Sequence, residues 1–194
     1  TVQTGTPTWK VGDTSATLKA TLTSDKALDK AVTVGFVIGT TSSVTLDKDL
    51  TEKKEKSISA LGSFTATTTV TNNIGAWYRA YVTIDDKTYY GEAKHYGWEI
   101  VDLGLSSGTL WCNMNVGANT PSESGNYYAW GETSPKESYT HDNYAYYQNN
   151  KYANLGNDNY DIAGTENDAA YKKMGSKWKM PTKDQLTELM NSCT

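Results

Sequence analysis

The chain has 194 residues, 37% of them hydrophobic and 21% charged, with a formal net charge of −4 and a pI near 5.2. Its 18 basic side chains include one arginine, Arg79, which argues against nucleic acid or an anionic membrane as partner, since both need clustered positive charge. No apolar run approaches the roughly 18–20 residues of a membrane-spanning helix, and the polar opening over residues 1–8 is not a secretory leader. The length suits two small domains, and a mean hydropathy of −0.62 calls for modest cores built on β-branched and aromatic side chains.

Along the chain, Ala16, Leu18, Ala20 and Leu22 alternate with Thr17, Lys19, Thr21 and Thr23, the pattern of a half-buried strand. After a charged turn over 24–30, the apolar row 31–40 predicts a central strand. A polar stretch, 41–56, leads to a strand with Phe64, Ala66, Thr68 and Val70 on one face. Asn72-Asn73 turns the chain, and Asp85-Asp86 joins strands over 77–84 and 87–96 in a tight hairpin. Short strands at this spacing, without helical period, predict an antiparallel sandwich over 1–97. From Trp98 onward the chemistry changes: Asn occurs twice before it and twelve times from there on, while Thr falls from twenty to eight.

The second part, 98–194, predicts a strand–turn–strand unit around Ser106-Ser107-Gly108 and a third short strand at 126–131. A Tyr-, Asn- and Asp-rich segment over 132–164 has no sustained period. A loop of that length is functional or hides further strands. Thr165 is placed to cap a helix over 166–174 that stops at Gly175, and Thr182 with Gln185 forms a capping box for a second. Leu186, Leu189, Met190 and Cys193 share one face of that helix, and this face must pack on something. Cys112 and Cys193 either close a disulfide loop of about 80 residues, worth roughly 4–5 kcal/mol, or remain two small buried thiols.

The rows T-S-A-T-L, V-G-F-V-I-G-T, G-S-F-T-A, W-Y-R-A-Y and T-Y-Y-G-E resemble the fibronectin type III-like repeats of Bacteroidota surface lipoproteins over residues 6–96. Where that family places a corner tyrosine, this chain has Ala76, so the corner hydrogen bond is absent or made differently. The rows V-D-L-G-L-S-S-G-T-L-W, N-V-G-A, Y-Y-A-W-G-E-T-S-P-K and G-S-K-W-K-M-P-T-K-D-Q-L-T-E-L resemble the Fibrobacter succinogenes major paralogous domain family. That family is similar to the C-type-lectin-like fold of formylglycine-generating enzyme. The resemblances imply a mainly β chain with some α: a fibronectin III-like sandwich, then a partial, loop-rich α+β lectin-like domain. In that family as much chain again follows the M-P-T helix, so the implied head is its front half. The late cysteines of the formylglycine-generating relatives have no counterpart here, and an enzyme of that fold is a remote alternative.

Tyr127, Tyr128, Trp130, Tyr139, Tyr144, Tyr146, Tyr147 and Tyr152 form either a platform for sugar rings or a protein partner, or the filling of a thin core; Trp111, Trp130 and Trp178 are the residues assigned to that core. Asn157, Asp158, Asn159 and Asp161, with Glu166, crowd oxygen donors as a Ca²⁺ turn does, although the twelve-residue loop is incomplete and turn formation or helix capping explains them as well. His95 and His141 are too isolated for a zinc site. Ser106-Ser107-Gly108 lacks a nucleophile elbow, and nothing sets a separation for a glycosidase pair among Asp158, Asp161, Glu166 and Asp168. The expectation is a non-catalytic, extracytoplasmic binding or adhesion protein, lipoprotein or secreted, with a glycan or surface protein as ligand and no cofactor beyond a weak Ca²⁺ candidate. The alternative is a structural subunit of a surface fibre or larger surface complex.

Overall fold

In the computed structural model, which describes residues 1–149, 151–155 and 161–192, the alternating segments become two antiparallel sheets. The strands are β1 (Val2–Thr4), β2 (Ser15–Leu22), β3 (Val32–Gly39), β4 (Leu50–Ile58), β5 (Gly62–Thr69), β6 (Ala76–Ile84), β7 (Lys87–Tyr90) and β8 (Lys94–Tyr96). One sheet runs β1-β2-β5; the other runs β4-β3-β6-β7, with β8 also on β6. Together they form the first of two units, Thr1–Glu99.

Ala16, Leu18, Ala20, Leu22 and Phe64 of the first sheet are buried opposite Val34, Phe36, Ile38, Tyr78, Ala80 and Val82 of the second. The chain's two phenylalanines, Phe36 and Phe64, meet across the sandwich with ring centroids 5.3 Å apart. Side chains of this size contribute about 1.5–3 kcal/mol each on full burial. A smaller cluster of Val37, Val44 and Tyr81 lies apart from this set, with Leu46 and Tyr90 against it. Tyr81 lies over Gly35, where a Cβ would come within 2.9 Å of its ring and 2.1 Å of the Lys54 carbonyl, so only glycine fits.

Three features depart from the sequence reading, and a fourth, at Ala76, decides between its alternatives. Strand β4 lies inside the stretch read as polar connection. It is an edge strand whose charges pair along its own length, Lys53 with Glu55 at 3.1 Å and Lys54 with Glu52 at 2.5 Å, and such a strand has no apolar alternation to betray it. The strand expected over 87–96 is broken into β7 and β8. At the break the Ala80 N–H donates to Thr4 Oγ1 at 3.1 Å, while Gly91 N–H donates to the Ala80 carbonyl at 2.8 Å and Gly91's own carbonyl accepts from Arg79 Nε at 2.8 Å. Ala76 carries no corner hydroxyl; instead the buried Tyr78 donates across the fold to the Gly5 carbonyl at 2.7 Å. Finally, Trp98 and Glu99 belong to the sandwich. Trp98 is fully buried edge-on to Trp9, its backbone bonds Asn73 and Gly75, and Glu99 accepts from Trp77 Nε1 at 3.0 Å.

The second unit, Ile100–Thr194, is loop-rich α+β. Hairpin β9 (Ile100–Asp102) and β10 (Leu110–Cys112) turns at 105–108, and a second hairpin, β11 (Tyr147–Gln148) with β12 (Lys151–Tyr152), lies inside the long aperiodic segment. Residues 126–131 are not a strand: their aromatic side chains mimic β-propensity, but no ladder partner meets them among the described residues. Helix α1 (Ala169–Met174) is capped by Asp168, not Thr165, and stops at Gly175. Helix α2 (Lys183–Ser192) opens on the expected capping box, with Thr182 N–H to Gln185 Oε1 at 3.0 Å and Gln185 N–H to Thr182 Oγ1 at 3.3 Å. No helix among the described residues is long and apolar enough to cross a membrane.

Replacing Tyr78 by Phe leaves the Gly5 carbonyl without its donor inside the sandwich. Urea unfolding is expected to show a loss of about 1–3 kcal/mol. Tyr81→Phe is expected to cost less, because its acceptor Glu55 keeps Lys53 and solvent.

Candidate functional site

The described part of the second unit buries few apolar side chains, among them Leu105, Ala118, Ile162, Ala169, Ala170 and Met174, so polar groups organise its loops. Asp168 is fully buried and accepts the N–H groups of Gly164 at 2.7 Å, Met180 at 2.9 Å and Tyr171 at 3.1 Å, tying the turn before α1, the helix start and the approach to α2 to one carboxylate. That role accounts for Asp168 without catalysis. Glu188 does the same at the surface: it accepts from Ser106 Oγ at 2.6 Å and Ser107 N–H at 2.8 Å, so the Ser106-Ser107 turn anchors α2 to the first hairpin.

The second buried carboxylate, Glu132, accepts the Ala145 N–H at 2.7 Å and the Lys136 ammonium at 2.6 Å; Lys136 also donates to the Asn143 carbonyl. Burial alone would raise the Glu132 carboxyl, but the Ala145 N–H and the Lys136 charge outweigh it and hold the group below the usual carboxylate range. Gly131, with φ 75°, makes the turn before it, and a Cβ there would lie 2.2 Å from Leu155.

This frame holds open a pocket of about 480 Å³ lined by Trp130, Tyr139, Tyr144, Tyr152, His141 and Leu155, with Thr140, Asn143, Ala129 and Ala153 completing the wall. The phenol tips of two of these rings are turned into the protein. Tyr144 donates to the Trp130 carbonyl at 2.8 Å, and Tyr139 donates to the Tyr127 carbonyl while accepting from Lys136 N–H at 3.0 Å. Burial, and secondarily the Glu132 charge, push the Tyr144 phenol above its ordinary value, so it stays a donor. Tyr152 is hydrogen-bonded to His141 Nε2 at 2.9 Å, and its ring lies 6.1 Å from that of Tyr144. Despite these contacts Trp130, Tyr139 and Tyr152 remain 47%, 43% and 61% exposed.

Of the seven candidate tyrosines, the structure therefore brings Tyr139, Tyr144 and Tyr152 to one pocket. Tyr147 supports it from behind, stacked on His141 at 4.9 Å and 4.8 Å from Tyr152. Tyr146 is half-buried, its hydroxyl held by Asn167 Nδ2 at 2.5 Å. Tyr127 lends its carbonyl and points its ring into solvent, and Tyr128 is half-buried beside Asn126. Trp130 is a wall residue and not a core residue, and Trp111 and Trp178 are only half-buried. His141, Thr140 and Asn143 were not read as site residues; their one local signal is the turn that Thr140 N–H closes on Asn143 Oδ1 at 3.1 Å.

Asn157, Asp158 and Asn159 lie outside the described residues; Asp161 accepts the Ala163 N–H at 2.9 Å in a local turn, and no group of three metal-ligating side chains occurs among the described residues. Cys112 is a free, half-buried thiol raised in pKa by burial, and Cys193 lies outside the described residues. Neither a family model, nor a curated protein, nor a solved structure matches the chain, so what the site does has to follow from its own geometry.

Because the Glu132 carboxyl is depressed in the folded state, its contribution is present above the unfolded carboxylate value, near pH 4.3, and is lost as pH falls through the lower folded value. Near-UV circular dichroism of the pocket rings is expected to show an acid-limb transition that Glu132→Gln shifts or removes.

Proposed function

We propose that the chain is a non-catalytic binding or adhesion protein of the cell surface or the secreted space, in which the second unit grips a saccharide in the Trp130–Tyr152 pocket and the sandwich serves as spacer. The observation that carries this reading is the group of half-exposed rings around one pocket. Large apolar rings left in contact with water are uncommon without a partner, and flat rings stack on the C–H faces of sugars. Pinning the tips of Tyr139 and Tyr144 removes much of the ordering cost that a flexible binding loop would bear. The extracytoplasmic placement draws on the resemblance of the sequence to surface lipoprotein modules.

Isothermal titration of glycans found on an array tests the assignment. Trp130→Ala and Tyr152→Ala are expected to weaken binding about tenfold or more each, while Tyr127→Ala leaves it unchanged. Binding that survives the double Trp130/Tyr152 substitution would remove the pocket as the site, and a blank array with a specific protein in pull-downs would make the ligand a protein.

A second reading, that of a subunit in a larger surface assembly, rests on another surface. Helix α2 buries none of its residues; Leu186 is 42% and Met190 76% exposed, and Ile100 and Leu110 on the hairpin anchored to α2 are 49% and 55% exposed. Exposed aliphatic groups gathered on two joined elements mark contact surfaces. Sedimentation of the wild type at rising concentration is expected to show association that Met190→Lys reduces; a persistent monomer argues against this reading.

A further inference from the structure

We propose that the pocket selects neutral sugars, hexoses or N-acetylated amino sugars, and discriminates against uronic, sialic or sulfated ones; this inference rests on the saccharide reading above. Recognition of an anionic sugar calls for a free arginine or lysine at the site, because a carboxylate or sulfate stripped of water without a counter-charge is strongly disfavoured. None lines this pocket among the described residues. The nearby ammonium, Lys136, is already committed to the buried Glu132 carboxylate at 2.6 Å and to the Asn143 carbonyl, and it serves the frame, not the wall. The single arginine, Arg79, belongs to the sandwich, where Gly91 and the Tyr90 ring occupy it.

The surrounding charge has the same sign. Residues 1–99 balance eleven acidic against eleven basic side chains, so the whole net charge of −4 resides in 100–194. Along the stretch 123–152, from which most of the pocket wall comes, Glu123, Glu132, Glu137 and Asp142 stand against Lys136 and Lys151 in the sequence. An approaching anion therefore meets a unit of net negative charge and, at the pocket wall, electron-rich ring faces. A neutral sugar meets neither obstacle. Its C–H face has the rings of Trp130, Tyr144 and Tyr152, and its hydroxyls have the exposed Thr140 and Asn143 at the rim.

The test uses the whole chain and matched glycan pairs that differ only in a terminal neutral hexose or the corresponding uronic acid. The neutral member is expected to bind about tenfold tighter or more. Thr140→Lys, which places a free cation on the wall without touching the Glu132 frame, is expected to shift the ratio of the two affinities several-fold toward the acidic member. Equal or tighter binding of the acidic member by the wild type overturns this proposal alone, whereas a pair that fails to bind at all, on a chain that retains its folded circular-dichroism spectrum, overturns it together with the saccharide reading.

Discussion

A carboxylate withdrawn from water is costly unless it is paired and hydrogen-bonded, and at Glu132, where Oε1 takes two hydrogen bonds and Oε2 the Lys136 charge, that requirement organises the candidate site. The Ala145 N–H comes from the loop before β11, the Lys136 ammonium from the loop after Gly131, and Lys136 reaches on to the Asn143 carbonyl. Two stretches of irregular chain, 132–136 and 143–145, are thereby fixed to one point. The phenols of Tyr139 and Tyr144 add ties to the Tyr127 and Trp130 carbonyls. The pocket is the space these ties leave between them, so its shape depends on polar geometry more than on apolar packing.

The sandwich is built the opposite way. Its interior is an apolar layer in which Phe36 and Phe64 interlock across the sheets, and directional bonds across it include the buried Thr68 hydroxyl donating to Glu52 at 2.6 Å and those that hold β1 to the second sheet. Thr4 and Tyr78 both contribute there, one accepting from Ala80 N–H and one donating to Gly5, so a three-residue strand closes the side of the fold at which the second sheet changes from β7 to β8. Non-directional packing tolerates a Thr-rich exterior. The second unit, with Asp168 and Glu132 buried, depends on the placement of individual donors.

Where the physics is local, the sequence was readable. Period-two alternation marked β2 and β5, and an unbroken apolar row marked β3; the Asn72-Asn73 and Asp85-Asp86 turns carry φ of 53°, 58°, 49° and 63°, the left-handed values those residues tolerate in tight turns; and the Thr182–Gln185 box formed as spaced. Where a partner distant in sequence decides, it was not. The Thr4 hydroxyl meets the second sheet where one expected strand becomes two, the buried Asp168 moved a helix start, and β4 is held at the edge by its ladder to β3 while its charged side chains carry no alternation. Composition announced that tyrosines would matter, but convergence is a three-dimensional property. Nothing local distinguished Tyr152, which lines the pocket, from Tyr127, which does not, or placed His141 beside them.

Some residues only hold the pocket and others only line it, while Tyr139, Tyr144 and Asn143 do both. Glu132, Lys136, Asn167 and Tyr146 carry the bonds that position the loops, while Trp130, Thr140, Tyr152 and Leu155 face the space within. Mutational drift can therefore act on the two sets separately. Side chains on the wall can be exchanged while the scaffold beneath stays intact; the same drift at the frame would disturb the whole pocket at once. A unit arranged in this way can change the chemistry of its pocket by single steps that leave the loops in place.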